Sequence, residues 1–159
     1  MKVYLLKRRL YMIVTFCGHS DFQKNEEYEQ RIFEILQQNI GNEAAEIYLG
    51  EHGAFDEFAY YCCKKYKQMH KNVSLVFITP YMLSKCPKRR YDYIIYPEIE
   101  DKPIRFAISY RNKYMVQMAD FVIAFVEREW GGAYQSYKYA IRKGKVVFNL
   151  APKNNKTGC

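Results

Sequence analysis

The sequence predicts an α/β fold: a Rossmann-like, doubly wound, mostly parallel sheet of about five strands with helices on both faces. Two observations carry this expectation. Short runs that are nearly all apolar recur along the chain, such as VSLVFI at 73–78 and DFVIAFV at 120–126, and strands without polar alternation are buried on both faces. Between these runs lie segments with apolar residues at helical spacing, and alternating strands and helices imply parallel crossovers.

The elements follow in order. YMIVTF at 11–16 is a strand that feeds the turn Cys17-Gly18. Tyr28, Ile32, Ile35, Leu36 and Ile40 mark one face of a helix that Gly41 stops. Ala45 to Leu49 is a second strand ending at Gly50, and Phe55, Phe58, Ala59, Cys62, Tyr66 and Met69 trace a second helix. Val73 to Ile78 is a third strand. Residues 81–103 hold three prolines and no clean period, and read as a long loop. A helix over 104–119, a strand over Asp120 to Val126, a helix over Ala133 to Lys143 stopped by Gly144, and a strand over Lys145 to Leu150 complete the pattern. The expected organisation is an N-terminal extension over 1–11, one domain over 12–150 and a flexible C-terminal tail over 151–159.

A chain of 159 residues fits one core. Its longest apolar run is only strand length, so no membrane partner is expected. The formal charge of +8 points to nucleic acid at first sight. However, Lys2, Lys7, Arg8, Arg9, Lys153 and Lys156 lie in the two ends, six cations with no acid among them. Setting them aside leaves 19 basic against 17 acidic residues. On that ground nucleic acid is not an expected partner, and the basic cluster Lys85, Lys88, Arg89 and Arg90 reads as a solvated loop. The five cysteines, 17, 62, 63, 86 and 159, contain no CxxC pair. The basic run at 7–9 follows the apolar residues at the N-terminus instead of preceding them, unlike a secretory signal. Reduced thiols in a cytoplasmic protein are expected. The histidines never reach metal-ligand spacing with a cysteine or with each other, so no metal and no cofactor is expected.

In an open parallel sheet, ligands bind beyond the carboxyl ends of the strands. Those ends deliver Gly18-His19-Ser20, the stretch Gly50 to Glu57 with Gly53, Asp56 and Glu57, and the stretch Glu127 to Gly132 with Glu129, Trp130 and Gly131. A glycine turn before a helix exposes backbone N–H groups with the positive end of the helix dipole behind them, which suits a phosphate. The competing explanation is that the glycines only permit tight turns. Trp130 is either a face for a base or a plug on the core. Asp56 and Glu57 either complement a helix dipole or bind ribose. Arg111, set among apolar residues, needs an anionic partner, either a ligand phosphate or a neighbouring carboxylate. Asp120, at the start of a buried strand, is expected in a structural hydrogen bond.

Four stretches, TFCGHSDF, YLGEHGAFDEFAYYC, RFAISYRNKYMVQMADFVIAFV and WGGAYQSYKYAIRKGKVVFNL, together resemble the SLOG superfamily, named for SMF/DprA and Lonely-guy. They are most like a small branch of single-domain bacterial or phage proteins. The resemblance spans about Met12 to Leu150. It implies a Rossmann-like fold and a nucleotide-derived ligand. It places Arg111, with Asn112 beside it, near the phosphate and ribose, and equates Gly131 and Gly132 with two glycines of the Lonely-guy motif. The two glutamates of that motif, which assist departure of the base, are Tyr137 and Lys138 here.

The leading functional expectation is therefore a sensor or sequestering protein for a nucleotide-derived small molecule, ADP-ribose-like or cyclic, with a role in antiphage defence or its evasion and with homo-oligomerisation. The second is an N-glycosidic-bond hydrolase that uses other acids, Asp56, Glu57, Glu127 or Glu129. The third is DprA-like binding of single-stranded DNA, against which the near-neutral body argues.

Overall fold

The structure, a computed structural model, describes residues 9–82 and 90–153. Three of the four basic residues at 85–90 and the cysteines at 86 and 159 lie outside the described residues.

The described residues form one six-stranded sheet. Its strands are β1 (Met12–Gly18), β2 (Ala45–Leu49), β3 (Val73–Ile78), β4 (Tyr93–Ile95), β5 (Phe121–Phe125) and β6 (Val146–Asn149). They lie in the order β4-β3-β2-β1-β5-β6, with every neighbouring pair parallel. The helices are α1 (Glu26–Asn39), α2 (Ala54–Met69), α3 (Ala107–Met118) and α4 (Gly132–Arg142). A single 3-10 turn, Ile104–Phe106, leads into α3.

Successive side chains of a strand face opposite sides, and here both sides are apolar. Val14 and Phe16 of β1 pack with Ile32 and Leu36 of α1 and with Ala59 and Tyr66 of α2. Ile13 and Cys17 of the same strand pack on the other face with Met115 and Val116 of α3 and Ala140 of α4. Thus α1 and α2 cover one face and α3 and α4 the other. The chain runs outward from β1 to β4, then returns to β5 on the far side of β1. The boundary between β1 and β5 is the switch point of the sheet, where doubly wound folds open a crevice.

The sheet has one strand more than expected. β4 is three residues long and pairs Val76, Phe77 and Ile78 with Tyr93, Ile94 and Ile95 at the edge of the sheet. It is too short to show a period, and prolines flank it in the sequence. Asp92 fixes it in place. The carboxylate of Asp92 accepts from the Leu75 backbone N–H at 2.7 Å and pairs with Lys67.

At the carboxyl end, aromatic packing seats the loop after β1. The Phe22 ring lies 5.1 Å from that of Phe55 and 4.8 Å from that of Phe125, both at steep angles. This edge-to-face geometry is the favoured one for aromatic pairs. At the opposite end, Asp120 accepts from the Ile13 backbone N–H at 2.8 Å and pairs with Arg9 at 2.9 Å, so the acid that opens a buried strand is partnered. No helix among the described residues is long and apolar enough to cross a membrane.

Gly18 is demanded by this packing. A Cβ there would meet Phe55 carbons at 2.2 Å, inside a core that cannot yield by more than a few tenths of an ångström. Gly18→Ala is expected to cost about 1–3 kcal/mol by overpacking, read as a lower urea midpoint with an unchanged slope.

Candidate functional site

Eight of the twelve residues expected to hold a ligand line one cavity of about 240 Å³ at the switch point. Gly18, His19 and Ser20 come from the end of β1, Asp56 from the first turn of α2, Asn112 from α3, and Trp130, Gly131 and Gly132 from the entry to α4. Met115 and Val116 supply an apolar floor, and Ser136 of α4 is a buried polar residue on the wall.

The glycines separate into two kinds. Gly18, Gly50 and Gly53 serve the protein's own packing. A Cβ on Gly50 would lie 2.9 Å from the Arg111 guanidinium carbon, and one on Gly53, where φ is +101°, would lie 2.6 Å from Ser20. Gly131 and Gly132 meet no such demand: a Cβ on either would find nothing within 4 Å. Gly131 has φ of +88° and stands at the N-cap of α4. The first N–H groups of α4 have no partner within the helix, and the positive end of the helix dipole lies behind them.

Trp130 is 64 % exposed, so it is a platform and not a plug on the core. The guanidinium carbon of Arg128 lies 4.2 Å from the centroid of its ring. Arg128 also pairs with Asp21 at 2.9 Å, and its Nε is buried without a hydrogen-bond partner. Arg128 lines the cavity and escaped the sequence reading, because Glu127 and Glu129 on either side give the stretch the look of a solvated turn. Its spacing from Trp130, two residues on a turn, was the available signal. Glu127 and Glu129 are exposed and do not line the cavity.

His19 is buried and bridges the two loops at the switch point. Its backbone N–H donates to Phe125 O at 3.3 Å, and its Nε2 accepts from the Glu127 N–H at 3.1 Å. That acceptor role puts the proton on Nδ1. Desolvation first, then the Arg128 charge, holds its pKa below the ordinary histidine value. Asn149 closes the neighbouring loop, with its amide exchanging two hydrogen bonds with the Val126 backbone at 2.9 and 3.0 Å.

Arg111 departs from the expectation. It is buried, and one of its terminal nitrogens donates to Gly50 O at 2.7 Å and to Ile78 O at 2.8 Å, while Nε donates to Asn112 Oδ1 at 2.9 Å. It sits beneath the cavity, not in its wall. Its partners are the carbonyl ends of β2 and β3, acceptors that an isolated arginine in a sequence does not reveal. Glu57 also lies elsewhere: it pairs with Arg90 at 3.0 Å, and Arg90 in turn pairs with Glu51 at 3.1 Å and stacks 3.8 Å over Tyr60. Arg90 is thus a neutralised, packed cation and not a free loop charge.

Asp56 is the acid of the cavity. Its carboxylate accepts from the His52 N–H at 2.8 Å. Burial outweighs that bond and the attraction of Arg111, and pushes its pKa up to about 6. Burial likewise pushes the Cys17 thiol in the cavity wall up to about 12, with the Asp56 charge adding to it, which leaves the thiol unreactive at neutral pH. Cys62 and Cys63 are also free and buried.

No family model and no curated protein matches the chain. Among solved structures, the fold is similar to that of DNA processing protein A from Helicobacter pylori, with a TM-score of 0.61 and 17 % identity over 91 % of this chain and 67 % of that one. It is similar to the same-named protein, DprA, from Streptococcus pneumoniae, with a TM-score of 0.61 and 18 % identity over 93 % of this chain and 53 % of that one. The chain therefore spans between half and two thirds of the length of these neighbours.

The expectation that nucleic acid is not a partner does not stand against this likeness, because the Helicobacter pylori protein is described by its single-stranded DNA binding mode. The physical fault lies in summing charge over the whole body. α1 and α2 carry six acidic residues against four basic, whereas α3 and α4 carry four basic and no acidic residue. A near-zero total conceals two layers of opposite sign.

Two expected outcomes follow from Arg111 and Asp56. Arg111→Ala should orphan the Gly50 and Ile78 carbonyls and leave a cavity, lowering stability by about 3 kcal/mol or more; a thermal scan checks it. Asp56 has a raised folded pKa, so its stabilising contribution is full below about pH 4 and is lost as pH rises through about 6. Asp56→Asn keeps an acceptor for the His52 N–H and cannot ionise. It should be more stable than wild type by on the order of 2–3 kcal/mol above pH 7, with the gap closing toward pH 4. Urea titrations across that range measure the gap, and the His19 titration cancels in the difference.

Proposed function

We propose that the switch-point cavity holds one nucleotide of a single-stranded DNA. The observation that carries this is the pair Gly131-Gly132: open space above both, helix N–H groups beneath, an exposed indole on one side and an arginine over that indole. The turn at Gly131 takes the phosphate, Arg128, whose charge Asp21 partly offsets, braces the indole from one side, and Trp130 stacks a base. Aromatic faces beside cations are the usual means of holding single strands without reading their sequence. A cavity of about 240 Å³ falls below the ~300–1,000 Å³ of typical small-molecule sites. That size suits one nucleotide unit better than a dinucleotide such as ADP-ribose. The likeness in fold to DNA processing protein A supports the choice of ligand. Asp56, at the inner end, keeps a phosphate away from that wall and toward α4.

Fluorescence anisotropy with a labelled oligothymidine tests the proposal. Stacking on one aromatic is worth ~1–3 kcal/mol per base, so Trp130→Ala should weaken binding by roughly five- to a hundredfold. Gly132 has an ordinary φ and empty space around it, so Gly132→Ala should leave the fold intact or stabilise it by about 0.4–1 kcal/mol. The added methyl group should nevertheless obstruct the phosphate and lower affinity. Unlabelled mononucleotide should compete far more weakly than unlabelled oligothymidine. No binding by wild type, or equal binding by both variants, overturns the proposal. Competition by a mononucleotide on a par with the oligonucleotide would assign the cavity to a free nucleotide.

A further inference from the structure

Three cations converge on one tyrosine of α4. Lys113 Nζ lies 6.0 Å, the Arg142 guanidinium carbon 5.3 Å and Lys143 Nζ 5.5 Å from the centre of the Tyr139 ring. Lys113 also lies 5.4 Å from the Tyr110 ring, and Lys138 lies 5.4 Å from that of Tyr134. Among the described residues none of these cations forms an ion pair with a carboxylate. Like charges gathered in this way repel one another. The tyrosine rings hold them in place without cancelling their charge.

A groove beside α2 differs in degree: of its cations Lys64, Lys67, Lys71 and Arg90, Asp92 neutralises Lys67, and Glu51 and Glu57 neutralise Arg90, while Lys64 and Lys71 form no ion pair among the described residues and share no ring. Localised, uncompensated cations between aromatic rings are what a phosphodiester chain with unstacked bases requires.

The seam between α3 and α4 is continuous with the cavity. Asn112 and Ser136 line the cavity; Lys113 follows Asn112, and Tyr139 lies one turn beyond Ser136. From Gly132 to Tyr139 the helix rises about 10 Å.

We propose that the α3–α4 seam, through Lys113, Arg142 and Lys143 around Tyr139, carries the phosphate backbone of the same single strand as it leaves the cavity. This rests on the reading of the cavity as a nucleotide site. It makes the binding site several nucleotides long, with the seam supplying the salt-sensitive part.

The test uses the full chain, two labelled oligothymidines of about four and about fifteen nucleotides, and a salt series. The variant K113Q/R142Q/K143Q, which alters exposed residues only, is checked for its fold by circular dichroism. It should bind the short oligonucleotide as wild type does, and the long one roughly ten- to a hundredfold more weakly. Its log–log salt slope on the long oligonucleotide should fall by about 2, since each phosphate contact on a single strand contributes ~0.7. Trp130→Ala should weaken both. Wild-type affinity and slope in the triple variant overturn the seam and leave the cavity proposal standing, as does an equal loss on both oligonucleotides. Binding of the long oligonucleotide that the triple variant loses and Trp130→Ala retains sustains the seam and overturns the cavity. Binding of neither oligonucleotide by wild type overturns both.

Discussion

The Arg111 guanidinium is the fastening on which the carboxyl edge depends. It is fully desolvated, yet it meets only backbone carbonyls and one amide oxygen at hydrogen-bonding distance. A charge in that position is tolerable because the acceptors are the last carbonyls of two adjacent strands, with the Asp56 carboxylate adding an attraction from farther off. The consequence is geometric. One side chain ties α3 to β2 and β3, and so fixes the height at which Asn112 and Met115 stand in the cavity wall. It also accounts for Gly50, since any Cβ there would press on the guanidinium. Position 111 governs the shape of the cavity without lining it.

His19 performs the matching task across the switch point. It ties the loop after β1 to the loop after β5 by one backbone and one side-chain bond. His19 and the cavity acid Asp56 respond to acid in opposite directions: protonating His19 removes an acceptor, while protonating Asp56 relieves a desolvated charge.

Much of the fold was legible because burial on both faces leaves a strand with almost no polar residues. β2 and β3 begin and end where the apolar runs do. β4 was not legible, since three residues that lean on a neighbour carry no pattern of their own. The gathering of the candidate residues around one cavity was legible in outline, because parallel strands end together and deliver their turns to one edge. Their division of labour was not. A glycine that avoids a clash and a glycine that faces open space look alike in a sequence. What separates Gly18 and Gly50 from Gly131 and Gly132 is a neighbour several dozen residues away, or the lack of one. Arg111 and Arg128 show the same limit. The arginine in apolar surroundings serves the backbone, and the arginine flanked by two acids lines the cavity.

Charge was the quantity most easily misread. A sum over the chain treats a protein as a point, whereas a phosphodiester strand meets one surface at a time, and screening confines each interaction to about 10 Å. The domain is wider than that, so the acids of α1 and α2 scarcely register at the opposite face. There the helices α3 and α4 present lysine, arginine and tyrosine without an acid between them. The doubly wound topology makes this segregation possible, because residues close in sequence are collected into one layer. A polyanion would meet the layer of positive sign next to the open turn at Gly131, with Asp56 the one acid of α1 and α2 that lines the cavity.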